Sequence, residues 1–161
     1  MTEKTDRGGV AMTVEIPSLV LSVHPAYGKT LRVQQPIPNG SMVLSFEDDV
    51  TRRSTPTVSS LQIGIDEHVD GPPTCYLNHS CEPNIFVDTG TLTVVAIRDI
   101  EPGEDLQYFY PATEWDLAMP FACACGARSC LGLISGAREL DQAVLNRYRL
   151  NEHIERLRES V

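Results

Sequence analysis

Short apolar runs with a period near two fill the chain from about Thr13 to Tyr110. Leu19-Val20-Leu21-Ser22-Val23, Met42-Val43-Leu44-Ser45-Phe46, Leu61-Gln62-Ile63-Gly64-Ile65 and Thr91-Leu92-Thr93-Val94-Val95-Ala96-Ile97 are the clearest of them. Each is shorter than a packed helix requires and reads as a β-strand. Turn signals separate them at Asn39-Gly40, Asp70-Gly71, Thr89-Gly90 and Pro102-Gly103. Asp88-Thr89-Gly90, between Ile85-Phe86-Val87 and Leu92-Thr93-Val94, predicts a hairpin. The polar stretch from Asp48 to Ser60 is expected to be loop. The pattern therefore dictates a mostly-β fold of short strands rather than one long sheet or a helical bundle.

After Cys130 the period changes. Leu140, Val144 and Tyr148 fall at i, i+4 and i+8, and Leu150, Ile154, Leu157 and Val161 share one helical face, with Asn151 placed as an N-cap. The end of the chain is thus expected to be one broken or two short amphipathic helices. Such a face either packs on its own domain or makes a dimer contact, and packing on its own domain is the expectation.

At 161 residues the chain is long enough for one domain with a sizeable core. No apolar run approaches the roughly 20 residues of a membrane-spanning helix. The polar start, Met1 to Gly9, reads as a frayed tail without an apolar signal core, which sets a cytoplasmic expectation. The formal charge of -9 lies wholly in residues 1–136, where eight basic side chains face seventeen acidic ones. Residues 137–161 carry five of each. An acidic body of this kind argues against a nucleic-acid partner, which needs a basic footprint, and suits a cationic substrate or simple solubility.

Three stretches carry chemistry. The first is Tyr76-Leu77-Asn78-His79-Ser80-Cys81-Glu82-Pro83-Asn84; the second is Asp105-Leu106-Gln107-Tyr108-Phe109-Tyr110; the third holds Cys123, Cys125 and Cys130. Taken singly, each stays ambiguous. His79 near Cys81 is compatible with an activated thiol, and Tyr108 and Tyr110 with core aromatics on a strand. Three cysteines within eight residues have the spacing of metal ligands, and an odd total of five argues against a disulfide framework.

Together and in this order the three stretches resemble the SET-domain methyltransferases, a mostly-β family that uses S-adenosylmethionine and usually methylates lysine. The family's Asn-His-Ser-Cys-x-Pro-Asn signature stands at Asn78 to Asn84. Its Glu-Leu-x-Tyr/Phe-x-Tyr strand stands at Asp105 to Tyr110, and its post-SET Cys-x-Cys-x4-Cys motif at Cys123, Cys125 and Cys130. Tyr27-Gly28-Lys29-Thr30-Leu31-Arg32-Val33, followed by Ile37-Pro38-Asn39-Gly40, is similar to the opening glycine motif. The family's second glycine, two positions before Gly28, is Ala26 here. The resemblance implies the SET-domain fold: short strands in several small sheets, a threaded pseudoknot, a post-SET zinc segment and C-terminal helices. It divides the chain into a tail (1–12), a SET domain (13–116), a zinc-binding segment (117–136) and a helical segment (137–161).

The resemblance also implies functional roles. Cys81 becomes the fourth ligand to one structural zinc, with Cys123, Cys125 and Cys130, which leaves Cys75 as an expected core thiol. Cofactor contacts fall to Gly28, Lys29, Tyr76, Asn78, His79, Tyr110 and Trp115, and the stretch from Glu114 to Phe121 forms part of the cofactor or substrate wall. Tyr110 matches the catalytic tyrosine that orients the amine, and Tyr108 the position that tunes how many methyl groups are added. A buried Asn amide offers the donors and acceptors that a polar cofactor needs once desolvated. The implied activity is methyl transfer to a lysine of a protein, with a small-molecule amine as the alternative acceptor and a non-catalytic binding module as the third reading. No nucleic-acid or membrane partner is expected, and the chain is expected to be a monomer or homodimer.

Overall fold

The computed structural model describes residues 18–48 and 50–161. The expected tail, 1–12, and the first residues of the expected SET unit lie outside them. The strands are β1 (Leu19–His24), β2 (Gly28–Val33), β3 (Met42–Ser45), β4 (Thr51–Arg53), β5 (Leu61–Gln62) and β6 (His68–Asp70), followed by β7 (Asn78–His79), β8 (Ile85–Asp88), β9 (Thr93–Ala96), β10 (Gln107–Tyr108), β11 (Phe121–Ala122) and β12 (Leu133–Ile134). Two α-helices, α1 (Gln142–Leu145) and α2 (Glu152–Glu159), end the chain. The strands form two three-stranded sheets, β3-β9-β8 and β4-β6-β5, and three two-stranded ones. The mostly-β fold of short strands in small sheets is therefore the one the period-two runs dictate.

Two hairpins form where turn chemistry meets alternation, one of them, β8–β9, at the predicted turn. β1 pairs antiparallel with β2 from Leu19↔Val33 to His24↔Gly28, and Gly28, at φ +79°, supplies the left-handed residue that closes the ribbon. β8 pairs with β9 from Ile85↔Ala96 to Asp88↔Thr93 across the Asp88-Thr89-Gly90 turn, where Asp88 Oδ1 accepts from the Gly90 and Thr91 amides.

Two predicted elements differ. The 48–60 stretch, read as loop, contains β4, which pairs with β6 from Thr51↔Asp70 to Arg53↔His68. All three of its residues are exposed, so backbone pairing rather than an apolar face makes the strand. The run from Leu61 to Ile65 stops as strand at Gln62, because the Ile63 and Gly64 amides both turn back onto the Glu67 carbonyl.

The main core gathers Val33, Phe46, Leu61, Val69, Ile85, Val94, Ile100 and Leu106, which join the sheets into one body. A second cluster joins Phe86, Phe109 and Ala112 to Ala137, Leu145 and Ile154. The C-terminal segment therefore packs on its own domain, as expected of its apolar face. It does so as a 3₁₀ turn (Ala137–Glu139) and two short helices, because Leu140 and Asp141 are extended. Asn151 stands at the N-cap of α2, but its side chain does not cap. Its Oδ1 accepts from the Thr89 amide and hydroxyl, and its Nδ2 donates to the Val87 and Ala112 carbonyls.

One connection decides where the site lies. β10 runs parallel to β7, with Gln107↔Asn78 and Tyr108↔His79 in register. Just upstream, the Leu106 amide donates to the Leu31 carbonyl and the Val33 amide to the Glu104 carbonyl. Residues 104–108 are thus inserted between β2 and β7, the threaded arrangement implied by the resemblance, and a rare one among folds. Polar groups lock the insertion. Asp105, 9% exposed, pairs with Arg32 at 2.8 Å and accepts the Tyr27 hydroxyl at 2.6 Å. Asn84 donates to the Asp105 carbonyl and accepts from the Gln107 amide, both at 2.9 Å.

Candidate active site

The β7–β10 pair opens onto a cavity of about 320 Å³, within the range of small-ligand sites. Four residues singled out in the sequence line it: Asn78 and His79 from β7, Tyr108 from β10, and Tyr110 from the 3₁₀ turn that follows. Parallel register alone brings the two distant motifs to one wall.

Aromatic rings shape the interior. The Tyr108 and Tyr110 centroids are 4.8 Å apart. Phe121 meets Tyr110 edge-on at 5.9 Å and His79 at 6.0 Å. The Tyr110 hydroxyl donates to the Leu77 carbonyl at 2.9 Å, which fixes the direction of its oxygen. Burial raises the pKa of both tyrosines, so each hydroxyl stays protonated near neutrality and acts through hydrogen bonds.

His79 ties this wall to the cysteines. The Tyr110 amide donates to His79 Nδ1 at 3.2 Å, and Nε2 stands 3.3 Å from Cys81 Sγ. Burial drives the imidazole pKa down to about 4, so the ring is neutral. With Nδ1 accepting, the ring proton belongs on Nε2 and points at the sulfur. Asn78 is held from behind: its Nδ2 donates to the Lys29 carbonyl at 2.9 Å and to the Tyr76 carbonyl at 3.4 Å.

The sulfur atoms of Cys81, Cys123, Cys125 and Cys130 lie within 4.8 Å of one another. A tetrahedral ion bound at about 2.3 Å from each sulfur would set them about 3.8 Å apart; Cys81 and Cys123 are 3.9 Å apart. The Leu131 amide points at Cys81 Sγ and the Gly132 amide at Cys130 Sγ, both at 3.4 Å, as donors that favour thiolates. Gly126, at φ +69°, lets the chain turn between Cys125 and Cys130. The donor set fits a metal ion. Cys123 and Cys125 also line the cavity, so the cluster forms part of its wall.

The other four expected cofactor contacts, Gly28, Lys29, Tyr76 and Trp115, fall outside the lining. Gly28 sits at the tip of the β1–β2 ribbon, and Lys29 and Tyr76 touch the site through the carbonyls that hold Asn78. Trp115 packs in the second apolar cluster, and its amide donates to Gln62 Oε1. Cys75, expected in the core, is half-buried in the cavity wall. The Glu114–Phe121 stretch, expected as part of the wall, contributes Glu114, Leu117, Ala118, Met119 and Phe121 to the lining, whereas Tyr27 and the Thr57–Leu61 segment carried no sequence signal as lining residues. The Thr57–Leu61 segment is pinned by Thr57 and Ser59 hydroxyls donating to Asp70. Nothing local in the sequence says that a polar turn will close over a motif some twenty residues away.

Known proteins resemble this chain in sequence and in fold. The chain is 46% identical over 84 residues to "Methyltransferase flvH" of Aspergillus flavus, a match covering 51% of this chain and 47% of that protein. It is 35% identical over 74 residues to "Histone-lysine N-methyltransferase, H3 lysine-36 specific" of Aspergillus oryzae, covering 42% of this chain and 8% of the relative. The chain therefore spans about half of the first relative and a small fraction of the second. Among solved structures, KRYPTONITE in complex with mCHG DNA and SAH matches with a TM-score of 0.59 and 26% identity, over 71% of this chain and 28% of that one. KRYPTONITE with mCHH DNA, H3(1-15) peptide and SAH matches at 0.57 and 27%, over 71% and 29%. The family model described as the SET domain matches residues 28–111, from the opening of β2 through Tyr110, and this chain belongs to the SET-domain family.

Proposed function

We propose that this protein is an S-adenosylmethionine-dependent N-methyltransferase that modifies a lysine side-chain amine. The observation that carries the reading is the parallel register of β7 and β10, which places Asn78, His79, Tyr108 and Tyr110 around one cavity. In this reading the cavity holds the cofactor, with the Asn78 side chain and the 78–79 backbone as its polar contacts. Two of the solved SET structures contain SAH, which supports that assignment. The bound cofactor supplies a methyl group on a positively charged sulfur.

The protein's own residues supply alignment and dryness. The nucleophile is a neutral amine, whereas a free lysine is protonated near neutrality. Apolar and aromatic walls around Tyr108, Tyr110 and Phe121 disfavour the charged form. The Tyr110 hydroxyl, fixed by the Leu77 carbonyl, orients the amine lone pair along the transfer axis. Tyr108, beside it, limits the space left for a methylated product. Cys81, Cys123, Cys125 and Cys130 would hold one zinc ion in a structural role, fastening residues 121–132 to the end of β7 and keeping Phe121 against the site.

A small-molecule amine is the second reading. It draws on the relative with 46% identity, whose name specifies no protein substrate, and on the short Thr57–Leu61 segment over the cavity. One experiment tests both. Lysate from the source cell is incubated with methyl-labelled S-adenosylmethionine and the protein, with Y110F as the blank, and split into protein and small-molecule fractions. Label in protein supports lysine methylation; label in small molecules alone supports the second reading. Y110F is expected to lower transfer by about 100-fold or more while SAH affinity, read by calorimetry, changes little. Unchanged transfer in Y110F would overturn the catalytic assignment.

A further inference from the structure

Glu114 is a buried acid that the methyl-transfer reading does not use. It is 4% exposed, yet it lines the cavity next to Tyr108 and Tyr110. No other Asp or Glu and no Lys or Arg lines that cavity among the described residues. Its Oε1 accepts from the Gln62 amide at 2.8 Å and from the Thr113 hydroxyl at 3.1 Å. Its Oε2 accepts from no described residue, which leaves one carboxylate oxygen for a ligand. Its backbone is fixed as well, with its amide donating to the Tyr110 carbonyl and its carbonyl accepting from the Ala137 amide. Two protein donors anchor the carboxyl, and no cationic side chain among the described residues pairs with it. An acid in such a setting is costly unless a cation completes it.

Resting on the reading of the cavity as a methyl-transfer site, we propose that Glu114 is the anionic seat for the ammonium group of the incoming methyl acceptor, selects a cationic amine over neutral acceptors, and takes up the proton the amine must lose before its lone pair attacks the methyl group. Glu114 stands at the tyrosine end of the cavity, and its charge acts on both Tyr108 and Tyr110. Burial pushes its carboxyl up to about 7, against the pull of the Gln62 and Thr113 bonds, so an arriving cation shifts it to the ionised form. An ammonium group also belongs to the cofactor's amino-acid end, and the test separates the two sources.

The probes are SAH and sinefungin, an SAH analogue that carries an amine-bearing carbon in place of sulfur and so directs an ammonium toward the acceptor. Both are titrated calorimetrically into the wild type and E114Q. The glutamine keeps an oxygen for the Gln62 and Thr113 donors, so the local fold keeps its anchor. The expected result is SAH affinity within about twofold and a sinefungin-to-SAH affinity ratio lowered by about tenfold or more, the scale of a lost charge-assisted hydrogen bond. Equal weakening of both ligands would place Glu114 at the cofactor's own ammonium and overturn the proposal, as would an unchanged ratio. If E114Q does not melt cooperatively, the wild-type ratio is followed from pH 6 to pH 8, where it should rise as Glu114 ionises; a flat ratio overturns the proposal. The neighbouring groups do not mimic this rise. His79, His68 and His153 are lowered by burial, and Tyr27, Tyr108 and Tyr110 are raised. The titration uses zinc-loaded protein, in which Cys123 and Cys125 would be held as thiolates across this range and add no titration of their own. A wild type that binds neither probe would overturn the methyl-transfer reading itself, and this assignment with it.

Discussion

His79 shows how much one side chain can be asked to do. Its two ring nitrogens meet different partners, the Tyr110 amide and the Cys81 sulfur, and its ring edge packs against Tyr110 and Phe121. A neutral imidazole with a fixed tautomer links the aromatic wall to the cysteine cluster, and no other side-chain type offers an acceptor and a donor at opposite ends of a flat ring. Gly136 is the opposite case, a residue that matters because it has no side chain. A Cβ there would lie 2.0 Å from the Trp115 carbonyl oxygen and 2.7 Å from the Asp116 Cα. That close approach seats the C-terminal segment on the 114–116 stretch that carries Glu114. G136A is expected to destabilise the fold by about 1–3 kcal/mol, the cost of forced overpacking. Urea denaturation checks it, and a midpoint equal to the wild type's would contradict the clash.

At the level of elements, α2 is held by Asn151 rather than begun by it. An ordinary N-cap loses about 1 kcal/mol when replaced by alanine. Asn151 is 5% exposed and bonds β8, the turn after it and the Ala112 carbonyl beside Tyr110. Removing the amide strands several buried partners at about 1–3 kcal/mol each. N151A is therefore expected to cost well beyond a cap, about 3 kcal/mol or more in total. A chemical-denaturation loss near 1 kcal/mol would return Asn151 to a simple capping role. The position of this residue was readable from the sequence, as the polar residue before an apolar helical face. What its side chain reaches was not, because its partners lie about 40 and 60 residues upstream. β4 makes the same point, since its three exposed residues become a strand only because β6 offers them an edge.

For the whole molecule, the cysteine cluster brings residues 123–130 beside Cys81, while β11 and β12 pair only with each other, so the proposed zinc would staple this segment to the end of β7. The proposed zinc predicts one equivalent per chain by elemental analysis. Its removal by a strong chelator should release this segment, read as new proteolytic cleavage within residues 117–136, with loss of SAH binding. Four thiols must lose their protons to bind the ion, and burial raises the Cys81 pKa to about 11. Metal affinity should therefore fall steeply as pH falls, and metal release should begin at a higher pH in C130S than in the wild type. A segment equally protected with and without chelator would show that packing alone holds it.

The sequence by itself determined the local plan. Period-two runs, turn residues and a late change to helical spacing specify a fold of short strands closed by short helices, because each depends only on neighbours along the chain. Through the resemblance its motifs carry, it also marked Asn78, His79, Tyr108, Tyr110 and the four cysteines as a set. Tertiary structure decided what those residues face. Threading residues 104–108 between β2 and β7 turned two distant motifs into one wall. The closing of the 57–61 turn and the 114–121 stretch over that wall made a cavity and buried Glu114 in it. Trp115, one position along, was sent to the other side of the same backbone. Such outcomes depend on contacts between residues far apart in the chain, and no spacing within a motif encodes them.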